Sequence, residues 1–249
     1  MLQGPVPGLC KNFRWYLGLF QQADEELWKN WLGLARAISY QTAYPNHSLE
    51  TLATWNQRLS SSLLCDISHV ELGIRNVISQ ALQSSGEKRG LSGHWLQDSS
   101  RYLSAIGGQE FDNHIEAARR RVLKTKSEAL LDDIVAELSL GFWLTFLGKR
   151  YVAIHGDLAS SLAGLKDRNV RRLSPLANRF RALRNRIAHH HRIFHRDLNR
   201  DWEAILDLSG LIHPALRDYL ERTSETPNLI LEFNQIVQAR SLPSPHEPC

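Results

Sequence analysis

Apolar residues recur at three- and four-residue steps along most of this chain, the spacing that lays one stripe along an α-helix and buries it. The clearest run is Leu52, Trp55, Leu59, Leu63, Ile67, Val70, Ile74, Val77, Ile78 and Ala81, and it predicts one long helix, or two joined end to end, over residues 48–82. The Ser84-Ser85-Gly86 cluster is expected to end it, leaving residues 86–100 as a loop that contains Trp95. A second helix is predicted from Gln109 to about Lys126, with Phe111, Ile115, Ala118 and Val122 inward and Arg119, Arg120, Arg121, Lys124 and Lys126 mostly outward. Residues 129–147 are nearly continuous in apolar character, with Gly141 as the expected break.

Past Gly148 a short helix is predicted around residues 158–165. Ser174-Pro175 reads as an N-cap followed by proline at the first helical position, opening a helix that runs to about His190 with Phe180, Leu183 and Ile187 as its apolar stripe. An earlier start would put Pro175 inside the helix and kink it. Further helices are predicted near Arg200, at His213-Pro214 and at Thr226-Pro227. The pattern is all-α, with no internal repeat and no linker, so one helical domain is expected over residues 13–240 between flexible Pro-containing ends, 1–12 and 241–249.

Composition narrows the class. With 249 residues, 43% of them hydrophobic, the chain can bury a sizeable core. No apolar run approaches the roughly 20 residues of a membrane-spanning helix, and the start lacks the basic and apolar regions of an export signal, so a cytoplasmic protein with no membrane partner is expected. Cys10, Cys65 and Cys249 are odd in number and far apart, which argues against a disulfide framework or a cysteine zinc site.

The net charge of +4 is modest, but residues 168–200 hold ten arginines against one acid, Asp197. Those arginines are not balanced by glutamates at i,i+4 spacing, so the block reads as a positive field that attracts a polyanion. Within it stands Leu183-Arg184-Asn185-Arg186-Ile187-Ala188-His189-His190. Arginine can hold a phosphate through two hydrogen bonds, and histidine, with an unperturbed pKa of about 6.5, moves protons at neutral pH. Asn185 and His189 are four apart and share a helix face, whereas Arg184 and His189 diverge by about 140°. Two copies meeting about a two-fold axis would bring both pairs to one cleft, so a homodimer is expected. His191 and His195 are also four apart, but the surrounding arginines would repel a cation; no metal and no cofactor is expected.

The segment Arg184 to His189 resembles the Arg-x4-His signature of HEPN domains, in the form found in the abortive-infection (Abi-like) family. Two other stretches carry the same resemblance. Residues 66–76, with Glu71, Leu72, Arg75 and Asn76, are similar to that family's Leu-Glu-x-x-Leu-Arg-Asn helix, and Glu137-Leu138-Ser139-Leu140-Gly141-Phe142-Trp143 is similar to its Glu-Leu-Ser-Phe-Gly-Phe-Trp element. The resemblance implies a HEPN-like helical bundle with additional helices and a metal-independent endoribonuclease. In it Arg184, Asn185 and His189 are catalytic, and Arg181, Arg186, His190 and Arg192 bind RNA phosphates. Glu71, Arg75 and Asn76 support the site, Glu71 and Arg75 being spaced for a helix ion pair. It further implies a toxin-like role in phage defence, with RNA as substrate and an antitoxin protein or small RNA as restraining partner. Many relatives have Glu-Pro after the histidine pair; here His191-Arg192 stands there, exchanging an acid for positive potential. The alternatives are a non-catalytic module that binds RNA or a protein, and a scaffold whose polar motif only stabilises the bundle. Trp143 reads as core packing and Arg119 to Arg121 as a solvated face that could widen an RNA track.

Overall fold

The computed structural model describes residues 25–106 and 111–239. The expected flexible ends, Cys10, Cys249 and the predicted helix start at Gln109 lie outside them. The fold is all-α: among the described residues there are twelve α-helices, two short 3-10 segments and no strand. No helix among them is long and apolar enough to cross a membrane.

The chain divides into two compact units, one made of residues 25–58 and 231–239, the other of 59–106 and 111–230. In the first, α1 (Glu25–Leu32) and α2 (Leu34–Ala43) precede the opening turns of α3 (Leu49–Lys88). Trp55 stacks on Phe233 at 3.8 Å between ring centroids, Tyr44 meets the same ring edge-on, and Arg58 pairs with Glu232 at 2.6 Å.

From residue 59 onward α3 belongs to the second unit. Its buried stripe includes Leu59, Leu63, Ile67, Val70, Ile74, Ile78 and Ala81, as the periodicity predicts. The helix does not stop at Ser84-Ser85-Gly86 but runs to Lys88. Ser85 is fully buried and its carbonyl and hydroxyl both accept from Arg89, so the small residues serve packing rather than a break. The stop comes at Gly90, whose φ of +81° lets Leu91 N–H return to the Gly86 carbonyl and close the helix end. The following loop carries Trp95 into the core, where its ring N–H donates to Ser79 Oγ at 3.0 Å. A short helix, α4 (Ser99–Ala105), occupies the end of the segment read as loop.

Helix α5 (Phe111–Val122) buries Phe111, Ile115, Ala118 and Val122, the predicted face. The apolar stretch 129–147 is divided, as expected, into two short helices, α6 (Leu131–Glu137) and α7 (Leu140–Thr145). The break falls at Ser139 rather than Gly141: Ser139 has an extended backbone and its hydroxyl accepts from Phe142 N–H, capping α7. Phe142, Trp143, Phe146, Phe111 and Tyr151 form an aromatic core with Trp95, so Trp143 packs as read. A 3-10 segment (Lys149–Ile154) leads into α8 (His155–Ser161).

The motif helix is α9 (Leu173–Ala188), entered through a second 3-10 turn (Val170–Arg172). Ser174 is not its cap; the hydroxyl donates to the Leu147 carbonyl at 3.2 Å. Pro175 therefore sits third in the helix, still within the first turn, where an amide N–H has no intrahelical partner to lose. Helix α10 (Leu198–Ile212) is capped by Asp197, which accepts from Arg200 N–H at 3.0 Å, and α11 (Pro214–Thr223) by His213. Gly164 seats the chain against α10: a Cβ there would lie 1.8 Å from the Gly210 carbonyl oxygen. The final helix is α12 (Thr226–Ala239).

Candidate functional site

Helix α9 has two opposed faces. Ala177, Phe180, Leu183 and Ile187 are buried against the core. The other side carries Asn178, Arg181, Ala182 and Asn185, at the three- and four-residue spacing of one stripe. These four, with Arg184 at the stripe's edge, form one wall of a groove of about 640 Å³ whose other wall is Ser139, Leu140 and Gly141 at the start of α7. The arrangement joins the Arg-to-His segment to the Glu-Leu-Ser-x-Gly-Phe-Trp segment, two stretches about forty residues apart in the sequence.

Arg184 is half-buried, and its Nε donates to Glu71 Oε1 at 2.9 Å. Glu71 thus engages the motif helix 113 residues further along, not Arg75 four residues away; the expected Glu71–Arg75 ion pair is not formed among the described residues. Arg75 keeps a buried Nε with no acceptor among those residues, and Asn76 is exposed. Glu71 consequently acts on the guanidinium rather than on His189. The carboxylate takes the Nε–H, and Arg184 is among the residues that line the groove; a guanidinium's outer nitrogens are the pair with which arginine binds phosphate.

His189 is exposed at the C-terminal cap of α9 and does not line the groove; its N–H returns to the Asn185 and Ile187 carbonyls. His190 follows with φ +54°, a left-handed backbone. Its N–H meets the Ile187 carbonyl and the N–H of His191 the Arg186 carbonyl, both at 2.9 Å, the paired bonds of a Schellman helix end. The rings of His189 and His191 lie 6.1 Å apart.

The expected phosphate ligands separate into two groups. Arg181 is exposed on the groove, its one side-chain bond among the described residues being a long 3.5 Å contact to Asn178 Oδ1. Arg186 instead turns to the loop after the helix, where Nε and Nη2 donate to the Arg192 carbonyl at 3.3 and 2.9 Å. Burial, then Arg196 and Arg192, push its guanidinium below the ordinary range. It holds the loop rather than presenting a free fork. Arg192 lies over the Phe194 ring at 5.7 Å.

The same loop is anchored by a group outside the predicted set. Asp201, with a fully buried side chain, accepts from Arg196 Nε at 2.5 Å and Nη2 at 2.8 Å, and Arg179 Nε of α9 lies 2.6 Å from its Oδ1. One carboxylate thus ties α9, the loop and α10 together. Burial first, then Arg186, Arg192 and Arg196, push the His195 imidazole below its usual value, against an opposite pull from Asp201. Asp201 stands one residue beyond the arginine block, so counting acids inside the block omits the one that neutralises two of its members.

No family model, no curated protein and no solved structure matches this chain.

Proposed function

We propose that this protein is a metal-independent endoribonuclease of the HEPN type, acting as a homodimer and as a toxin-like effector in phage defence. The observation that carries the reading is the groove on α9, where Arg181 and a Glu71-bound Arg184 precede Asn185 and an exposed His189 follows one turn later. In the reaction His189 takes the proton of a ribose 2′-hydroxyl, whose oxygen attacks the neighbouring phosphorus. The bond from phosphorus to the 5′ oxygen breaks, leaving a 2′,3′-cyclic phosphate and a 5′-hydroxyl that takes up a proton. Arg184 stabilises the charge that builds on the phosphate, and Asn185 orients a substrate oxygen by hydrogen bonding. DNA lacks the nucleophile. The divergence of Arg184 and His189 by about 140° around an ideal helix is what asks for the second copy.

One observation favours a second reading, a non-catalytic RNA-binding module: His189 is not among the residues that line the groove. Incubating wild type and His189→Ala with total RNA in EDTA separates the two. Fragments with 2′,3′-cyclic phosphate ends from wild type alone are the expected result. RNA bound equally by both proteins and cut by neither would replace the nuclease with the module.

A further inference from the structure

The first unit carries apolar side chains that no other side chain among the described residues covers. Gly33, at φ +79°, turns the chain between α1 and α2, and each helix then shows a large apolar pair one turn apart: Leu27 and Trp31 on α1, Leu34 and Ile38 on α2. All four are more than half exposed, and together they present on the order of 500 Å² of apolar surface, the size of a functional patch. Between the helices lies a groove of about 470 Å³, whose lining includes Asn30, Gly33, Leu34, Ala37 and Ile38. Trp28, on which Trp31 stacks at 5.0 Å between ring centroids, is buried, and its indole N–H has no acceptor among the described residues. A buried indole N–H calls for an acceptor, so the missing cover brings an oxygen as well as apolar side chains.

We propose that the cover is this chain's own segment 13–20, folded back from α1 onto the groove. Six of its eight residues are apolar, Phe13, Trp15, Tyr16, Leu17, Leu19 and Phe20, and Arg14 is its one charge. A helix of that composition is apolar nearly all round, the pattern of a buried element. The tether fits. Gln21 to Asp24 are four residues, which extended span up to about 14 Å and give the chain room to reverse. Eight helical residues cover about 12 Å, which is also the length of α1, so the segment runs from the first turn of α1 to the groove at Gly33. The Tyr16 hydroxyl and the unpaired carbonyls at its end are acceptors for Trp28. A second copy fits less well: about 500 Å² falls short of the roughly 800 Å² that each partner of a stable dimer buries, whereas a tethered segment meets the groove at the high effective concentration its linker gives. The face is closed within one chain and is no part of a homodimer contact.

The test is hydrogen exchange read by mass spectrometry on the whole chain. Amides of residues 13–20 should exchange at least about tenfold more slowly than in a synthetic peptide of the same sequence. Leu34→Asp with Ile38→Asp charges the groove at two exposed positions, and it should return those amides to the peptide rate while exchange in α3 stays as in wild type. Phe13→Ser with Leu17→Ser and Phe20→Ser, one face of the segment, should do the same. This second variant leaves α1 and α2 untouched, so it carries the test if the first fails to fold. Exchange at the peptide rate in wild type overturns the proposal, as does protection that survives in either folded variant. Protection that grows with protein concentration, alongside a doubled mass in analytical ultracentrifugation, overturns it too and gives the face to a second copy.

Discussion

Two arginine-rich stretches of the same unit use their charge in opposite ways. Along α5 and the turn after it, Arg119 and Arg120 pair with Glu116, Arg121 with Glu137 and Lys126 with Asp133, every cation at least 47% exposed. Along α9 and its following loop the carboxylates come from elsewhere: Asp201, whose side chain is 0% exposed, takes Arg179 and Arg196, and Glu71 takes Arg184. The first stretch is a neutralised, solvated surface. The second is a built structure, in which buried pairing fixes the chain bearing the histidines and leaves Arg181 open on a groove. The lesson is that a basic run acquires a role from the depth and origin of its counter-charges, not from its own composition.

The contrast is tested most severely at Asp201. Removing it in Asp201→Ala leaves two partly buried guanidiniums without their carboxylate, and urea unfolding should show a loss of about 3–5 kcal/mol. A loss below about 1 kcal/mol would make the two stretches energetically alike. An intermediate effect is expected at Glu71, where a double-mutant cycle of Glu71→Ala with Arg184→Ala should return a coupling of about 1 kcal/mol. Zero coupling would mean that the pair fixes nothing. At the small end, Glu137→Gln removes an exposed partner of Arg121 and should change stability by less than about 0.5 kcal/mol in the same assay. A larger change would give the α5 stretch a structural weight that its exposure denies.

The elements themselves were largely legible in the sequence. The stripe of α3, the inward face of α5 and the helix starts at Pro214 and Thr226 follow from spacing and capping chemistry alone. The errors have a common cause. Ser85, Gly141 and Ser174 were each read from residue preference alone, and a specific hydrogen bond decided otherwise: Arg89, four residues on, bonds Ser85; Ser139 rather than Gly141 makes the break by capping Phe142 N–H; and Ser174 donates to the Leu147 carbonyl twenty-seven residues away. The site was legible as residue types on one helix but not as a groove, because Ser139, Leu140 and Gly141 reach it only through the fold. Glu71 was visible as a supporting acid, yet its closest cation in the sequence, Arg75, is not the one it binds. Arg186 looked like its neighbours and was diverted by a loop carbonyl that no sequence pattern marks.

The left-handed residue at the end of α9 bears on how the histidine triplet can be dissected by saturation mutagenesis. His190 occupies, at φ +54°, a conformation that glycine and asparagine adopt cheaply and β-branched residues resist. Tolerance at that position would rank substitutions by backbone preference, with Gly and Asn ahead of Val and Ile whatever their chemistry. At positions 189 and 191 the same scan would rank side chains by what they can do. Three identical letters in a row would then yield two unrelated profiles, and a loss at 190 would say nothing about imidazole.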